Sequence, residues 1–170
     1  NATRQSMHAS SSLSIHKIYK VEIATMLNAF REHGLKIGNI KELWHGTRIG
    51  NLLSIMKGGF VIPPSNSSHC TGRMFGNGVY FSDQSTKSLN YAMGYAPGQR
   101  GGYSSDTFMF VNDVSMGREY VPTGPSSTLD ATKLGYDSTF AMAHKSGVLN
   151  NEMIVYKTYQ INPTYLIEFK

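Results

Sequence analysis

The sequence predicts an α+β domain with mostly antiparallel sheets. Three observations carry this. Most patterned segments are short and rich in β-branched and aromatic residues, and helical spacing is confined to a few early stretches. The two strongest strand patterns, EMIVYKTY (152–159) and TYLIEFK (164–170), fall together at the end of the chain. With 170 residues, 40% of them apolar and 16% charged, the chain suffices for one domain with a hydrophobic core.

HKIYKVE (16–22) reads as the first strand. A helix follows, its apolar face formed by Ile23, Leu27 and Phe30, with Gly34 as its expected C-cap. KELWHG (41–46) is a second strand ending on glycine. Asn51 is placed to cap a short helix, LLSIMK, which Gly58 and Gly59 close. Residues 63–77, PPSNSSHCTGRMFGN, hold two prolines, two glycines and three serines, and read as a long loop that covers something. GVYFS (78–82) is a strand. Ser82 or Asp83 can cap the helix QSTKSLNYAM, which Gly94 ends. Residues 95–105 are Gly-rich loop, DTFMFVNDVSMG with REYV forms one strand with an extension, and 122–151 are mostly irregular.

Composition excludes several classes. No apolar run approaches the roughly 20 residues that cross a bilayer. Residues 1–13 are polar, lack an apolar signal core and an initiator Met, and are expected to be a tail or linker in a longer chain. The single cysteine, Cys70, permits neither an internal disulfide nor a thiolate zinc site, and His69 beside it does not make a metal site, so no metal is expected. One cysteine also fits a reducing, intracellular setting. A net charge of +5 gives mild attraction to phosphate-rich partners, but no Lys/Arg run forms a DNA-binding stripe.

Three separated features suggest chemistry. His45–Gly46–Thr47 ends a strand. Tyr80 lies on a strand followed by Lys87, Ser88 and Tyr91 on a helix. Glu152 starts an apolar strand. Ser88 and Tyr91 share one helix face, which offers a hydroxyl beside an aromatic plate, and Tyr80 offers a second plate. Gly46 exposes a bare backbone edge, and a carboxamide needs one donor and one acceptor together. Such a slot suits nicotinamide. Burying a carboxylate at Glu152 is costly without a partner, and that carboxylate can accept from a ribose hydroxyl or stabilise positive charge as a glycosidic bond breaks. Each feature alone has an ordinary reading: a turn, core tyrosines, a solvated edge glutamate. FGNGVY precedes a strand rather than a helix, so it is no Rossmann turn.

Together, LWHGTR, GRMFGNGVYFSDQSTKSLNY and NNEMIVYKTYQINPTYLIEF resemble the catalytic domain of poly(ADP-ribose) polymerases, in the His-Tyr-Glu, diphtheria-toxin-like class of ADP-ribosyltransferases. The resemblance runs from about residue 15 to 170 and implies two packed, mostly antiparallel sheets over 14–170. It implies NAD as co-substrate and transfer of ADP-ribose to a protein acceptor or, alternatively, a nucleic-acid end, as single units or chains. It also implies site roles. Gly46 and Ser88 would hold the nicotinamide amide, with Tyr91 and Tyr80 stacking on the ring and Phe81 and Ser82 lining the pocket. His45 would bond the adenine-side ribose, with Thr47 and Asn51 near the adenosine. Glu152 would bond the nicotinamide-side ribose and orient the acceptor beside Lys87, and residues 60–77 would cover the donor. Two departures stand out: Arg73 replaces a frequent tyrosine and offers charge to the pyrophosphate, and Asn150 stands where chain-forming members often carry tyrosine. A silent NAD or ADP-ribose-binding module is the alternative reading. Scattered arginines disfavour an RNA 2′-phosphotransferase.

Overall fold

The computed structural model describes residues 14–62, 64, 73–93 and 107–170. Two four-stranded sheets face each other. The first has the order β1 (Ile15–Lys20), β8 (Ile161–Phe169), β4 (Thr107–Ser115), β2 (Ile40–Gly46), and every neighbouring pair is antiparallel. The second has the order β3 (Val79–Phe81), β7 (Glu152–Val155), β6 (Ser138–Ala141), β5 (Glu119–Tyr120), antiparallel except for the parallel β5–β6 pair. The α+β class and the mostly antiparallel sheets are as the sequence predicts.

Strand alternation explains the layers. Leu43, Phe110, Val114 and Leu166 of the first sheet meet Val79, Phe81, Met153 and Val155 of the second in the main core. The opposite face of the first sheet carries Met109, Val111 and Ile167, which pack against Leu89 of α4 (Ser85–Ala92). The outer face of the second sheet buries Ile154 with Phe75, Ala131 and Tyr156.

Several local expectations are corrected. The first helix does not stop at Gly34. It runs from α1 (Ala24–Ala29) through a π-helical turn (Phe30–Gly34) into α2 (Leu35–Ile37), and Gly38, at φ 74°, ends it. Gly34 is there for space: a Cβ would lie 2.5 Å from the Tyr159 carbonyl oxygen and 2.7 Å from the Phe30 ring. Asn51 is not a cap. α3 (Ile49–Gly58) begins after Arg48, and Asn51 lies in its first turn. Gln84 rather than Ser82 or Asp83 is the N-cap of α4, although the Ser82 hydroxyl accepts from the Gln84 N–H at 3.0 Å. REYV does not extend β4. Gly117, at φ 52°, turns the chain, and β5 joins the other sheet. The 122–151 stretch holds a 3-10 helix (Ala131–Leu134) and all of β6. The penultimate strand stops at Val155, and β8 begins at Ile161, earlier than the pattern marks. Gly94, the 95–105 loop, Cys70 and His69 lie outside the described residues.

The two sheets are joined across β2. At one end Trp44 N–H donates to the Ser82 carbonyl at 2.9 Å and Ser82 N–H donates to the Trp44 carbonyl at 3.0 Å. At the other end the Lys41 ammonium meets Glu119 of β5. Gly34→Ala should lower stability by roughly 1–3 kcal/mol, because the methyl must displace the Tyr159 backbone. Urea unfolding measures this, and an unchanged midpoint would contradict the packing described.

Candidate functional site

The Trp44–Ser82 junction places the expected site residues around one corner. His45 follows Trp44, and its Nδ1 lies 2.8 Å from the Tyr80 carbonyl. A carbonyl only accepts, so Nδ1 carries the proton and Nε2 is left as an acceptor. Phe60 meets the imidazole edge-on at 4.8 Å and Phe81 flanks it at 5.6 Å. Burial among these rings lowers the His45 pKa to about 4, against the opposing pull of the Tyr80 carbonyl. The imidazole is therefore neutral at pH 7. Phe60, expected in a covering loop, is instead buried in the main core; residues 63 and 65–72 of that loop lie outside the described residues.

Gly46 needs to be glycine. A Cβ would fall 1.7 Å from the Ser88 carbonyl oxygen, so the end of β2 lies directly against the backbone of α4. This contact brings Gly46 and the buried Ser88 together, two residues expected from the sequence at one amide. Tyr91, one turn on, leaves 45% of its surface exposed and can present its ring. Thr47 and Asn51 also meet: the Asn51 amide donates to the Thr47 hydroxyl at 3.1 Å.

Tyr80 is held differently from a free plate. Its hydroxyl donates to the Gly76 carbonyl at 2.7 Å and accepts from the Phe75 N–H at 3.0 Å, so it locks the glycine turn before its own strand. Only its ring remains for a ligand. Arg73 donates to the Pro64 carbonyl at 2.8 Å, which ties the guanidinium to the flanking chain.

Glu152 is buried at the start of β7, where Met153, Ile154 and Val155 are buried too. Its partner is Lys87: Nζ lies 2.6 Å from Oε1 and also donates to the Asn151 carbonyl at 3.3 Å. Burial lowers the Lys87 pKa, while the carboxylates of Glu152 and Asp83 pull the other way. Tyr80 and Tyr91 are both held above the ordinary phenol value, first by burial and also by the charge of Glu152. One carboxylate therefore acts on both tyrosines. Lys87 and Tyr91, four apart on α4, face it together.

Asp83 and Asn151 were not among the sequence candidates. The Asn151 amide donates to Asp83 at 2.7 Å, and its oxygen accepts from the Ala143 N–H at 2.9 Å. The one local signal was the Asn151–Glu152 pair opening an apolar strand. Among the described residues no group of three His, Cys, Asp or Glu side chains is placed to hold a metal ion, and no helix is long and apolar enough to cross a membrane.

The burial of His45 has a consequence for stability. Its folded pKa lies below the unfolded value of 6.5, so the unfolded chain takes up the proton first. The contribution is whole above about pH 6.5 and is lost as pH falls toward 4, on the order of 3 kcal/mol in total. Denaturant unfolding between pH 4 and 7 should show this slope, and His45→Gln should flatten it. An equal slope in both proteins would contradict the burial of a neutral imidazole.

The family model of the poly(ADP-ribose) polymerase catalytic domain matches residues 1–146, ending before Glu152. Relatives extend the match. A poly [ADP-ribose] polymerase of Drosophila melanogaster is 31% identical over 99% of this chain and 19% of its own length. A putative poly [ADP-ribose] polymerase-like protein of Invertebrate iridescent virus 6 is 34% identical over 74% of this chain and 68% of its own length. The human protein mono-ADP-ribosyltransferase PARP3 is 33% identical over 77% of this chain and 23% of its own length. The chain thus spans about a fifth of the fly and human relatives. With the family model matched over most of its residues, the chain belongs to the poly(ADP-ribose) polymerase catalytic-domain family.

Proposed function

We propose that this domain splits the nicotinamide–ribose bond of NAD and transfers ADP-ribose to a macromolecular acceptor, a protein side chain in the first instance. The observation that carries the reading is the buried Lys87–Glu152 pair, set within electrostatic reach of Tyr80 and Tyr91. In this reading the nicotinamide ring stacks on Tyr91, and its amide meets the backbone of Gly46 and the hydroxyl of Ser88. Phe81 and Ser82 line the slot. The free acceptor Nε2 of His45 takes a hydrogen bond from the adenine-side ribose, with Thr47 and Asn51 beside the adenosine.

Lys87 engages Oε1 of Glu152, which leaves Oε2 to accept from the 2′-hydroxyl of the nicotinamide-side ribose. The C1′–N bond breaks, and nicotinamide leaves as a neutral molecule with the bonding pair. Positive charge grows on the ribose, and the carboxylate in its partly dry setting stabilises it. The acceptor atom then bonds to C1′ and releases its proton to solvent. Lys87 stands at the acceptor side of the same carboxylate. The poly- and mono-transferase names of the relatives leave room for either product, and Asn150 favours a test of chain length. A single cysteine supports placement in a reducing, intracellular compartment.

Intact-mass spectrometry with NAD, alongside assay of released nicotinamide, tests this. Wild-type protein should release nicotinamide and gain ADP-ribose mass. Glu152→Gln should be slower by roughly 100-fold or more, since one transition-state contact carries that much. NAD bound but unbroken in the wild type would instead mark a silent binding module, and equal rates in the two proteins would remove Glu152 from the mechanism.

A further inference from the structure

We infer that Asn151 and Asp83 form a positioning clamp that fixes how Glu152 and Lys87 meet; the inference rests on the transfer reaction proposed above. Glu152 comes from β7 and Lys87 from α4, so their 2.6 Å contact depends on how strand and helix are held together. Asp83 lies just ahead of α4, and Asn151 is the residue before Glu152. The 2.7 Å bond between their side chains joins the two elements one step away from the ion pair.

The chemistry of the bond selects the residue types. A backbone N–H only donates, so the Asn151 atom facing Ala143 must be an acceptor. An ionised carboxylate only accepts, so the atom facing Asp83 must be a donor. One side chain must therefore offer an acceptor and a donor from a single planar group, and asparagine does so with a stem short enough to stay beside its own strand. The bonds to Ala143 and Asp83 fix the Asn151 side chain, while the Asn151 carbonyl accepts from Lys87 Nζ at 3.3 Å. Asp83 also attracts the Lys87 cation, so the ammonium lies under the pull of two carboxylates of which only Glu152 meets the substrate. Asp83 and Asn151 touch no reacting atom; they act through Lys87 and Glu152.

A swap of groups tests the clamp. Asn151→Asp keeps the acceptor for Ala143 but sets a carboxylate against Asp83. Asp83→Asn together with Asn151→Asp restores the bond with donor and acceptor exchanged and leaves the net charge unchanged. Nicotinamide release is measured as kcat and KM for NAD, and binding of benzamide, a nicotinamide mimic, is measured separately in every protein. Asn151→Asp should lose roughly 100-fold in kcat, as a small misplacement of a reacting group does, with KM and benzamide affinity shifted by no more than about threefold. The double variant should recover to within about tenfold of wild type. Wild-type kcat in Asn151→Asp, or a double variant no faster than it, overturns the clamp. Benzamide binding lost in both variants overturns it as well, since the residues then hold the fold rather than the carboxylate. Wild-type protein that releases no nicotinamide overturns the transferase reading itself, and this shows before any variant is made.

Discussion

Two backbone hydrogen bonds between Trp44 and Ser82 hold the architecture of the site. Each sheet closes its own ladder without them, yet they join the end of β2 to the chain leaving β3. Backbone groups buried between two sheets must find partners. Here the partners lie in the other sheet, so the join is also a fixed angle. Everything placed at the corner follows from it. His45 sits beside the Tyr80 carbonyl, Gly46 reaches the backbone of α4, and α4 starts where it can turn Lys87 toward β7.

The corner combines two environments that would conflict if they were not separated. His45 lies in the aromatic side of the main core and stays neutral there, with one ring nitrogen committed and the other an acceptor. Glu152 and Lys87 are both mostly buried, yet they hold opposite charges in contact. A buried pair of this kind adds little net stability, since desolvation offsets attraction. In the proposed reaction the pair holds a charge out of bulk water. Tyr80 serves both sides: its hydroxyl fixes the glycine turn, and it lies within reach of the Glu152 charge.

Much of this was legible in the sequence, and the reasons are local. KELWHG, GVYFS and the helix after it carry their own periodicity and end signals, so they fall close to the observed β2, β3 and α4. His45, Gly46, Ser88, Tyr91 and Glu152 could be named as a set because three stretches in order resemble one family, whereas each feature alone has an ordinary reading. β6 was hidden because STFA is short and mixed in polarity, and only pairing with β7 makes it a strand. The role of Gly34 was hidden because the atom it makes room for belongs to Tyr159. The Asp83–Asn151 bond joins residues 68 positions apart, and no local pattern announces such a contact.

The corner is proposed as a nicotinamide slot whose carboxylate faces the ribose. A crystal structure of the protein with benzamide bound is the most direct measurement. The ring should lie on Tyr91, its amide on the backbone of Gly46 and the hydroxyl of Ser88, with Glu152 at the open end. A ring seated elsewhere, with Tyr91 and Gly46 untouched, would contradict the account.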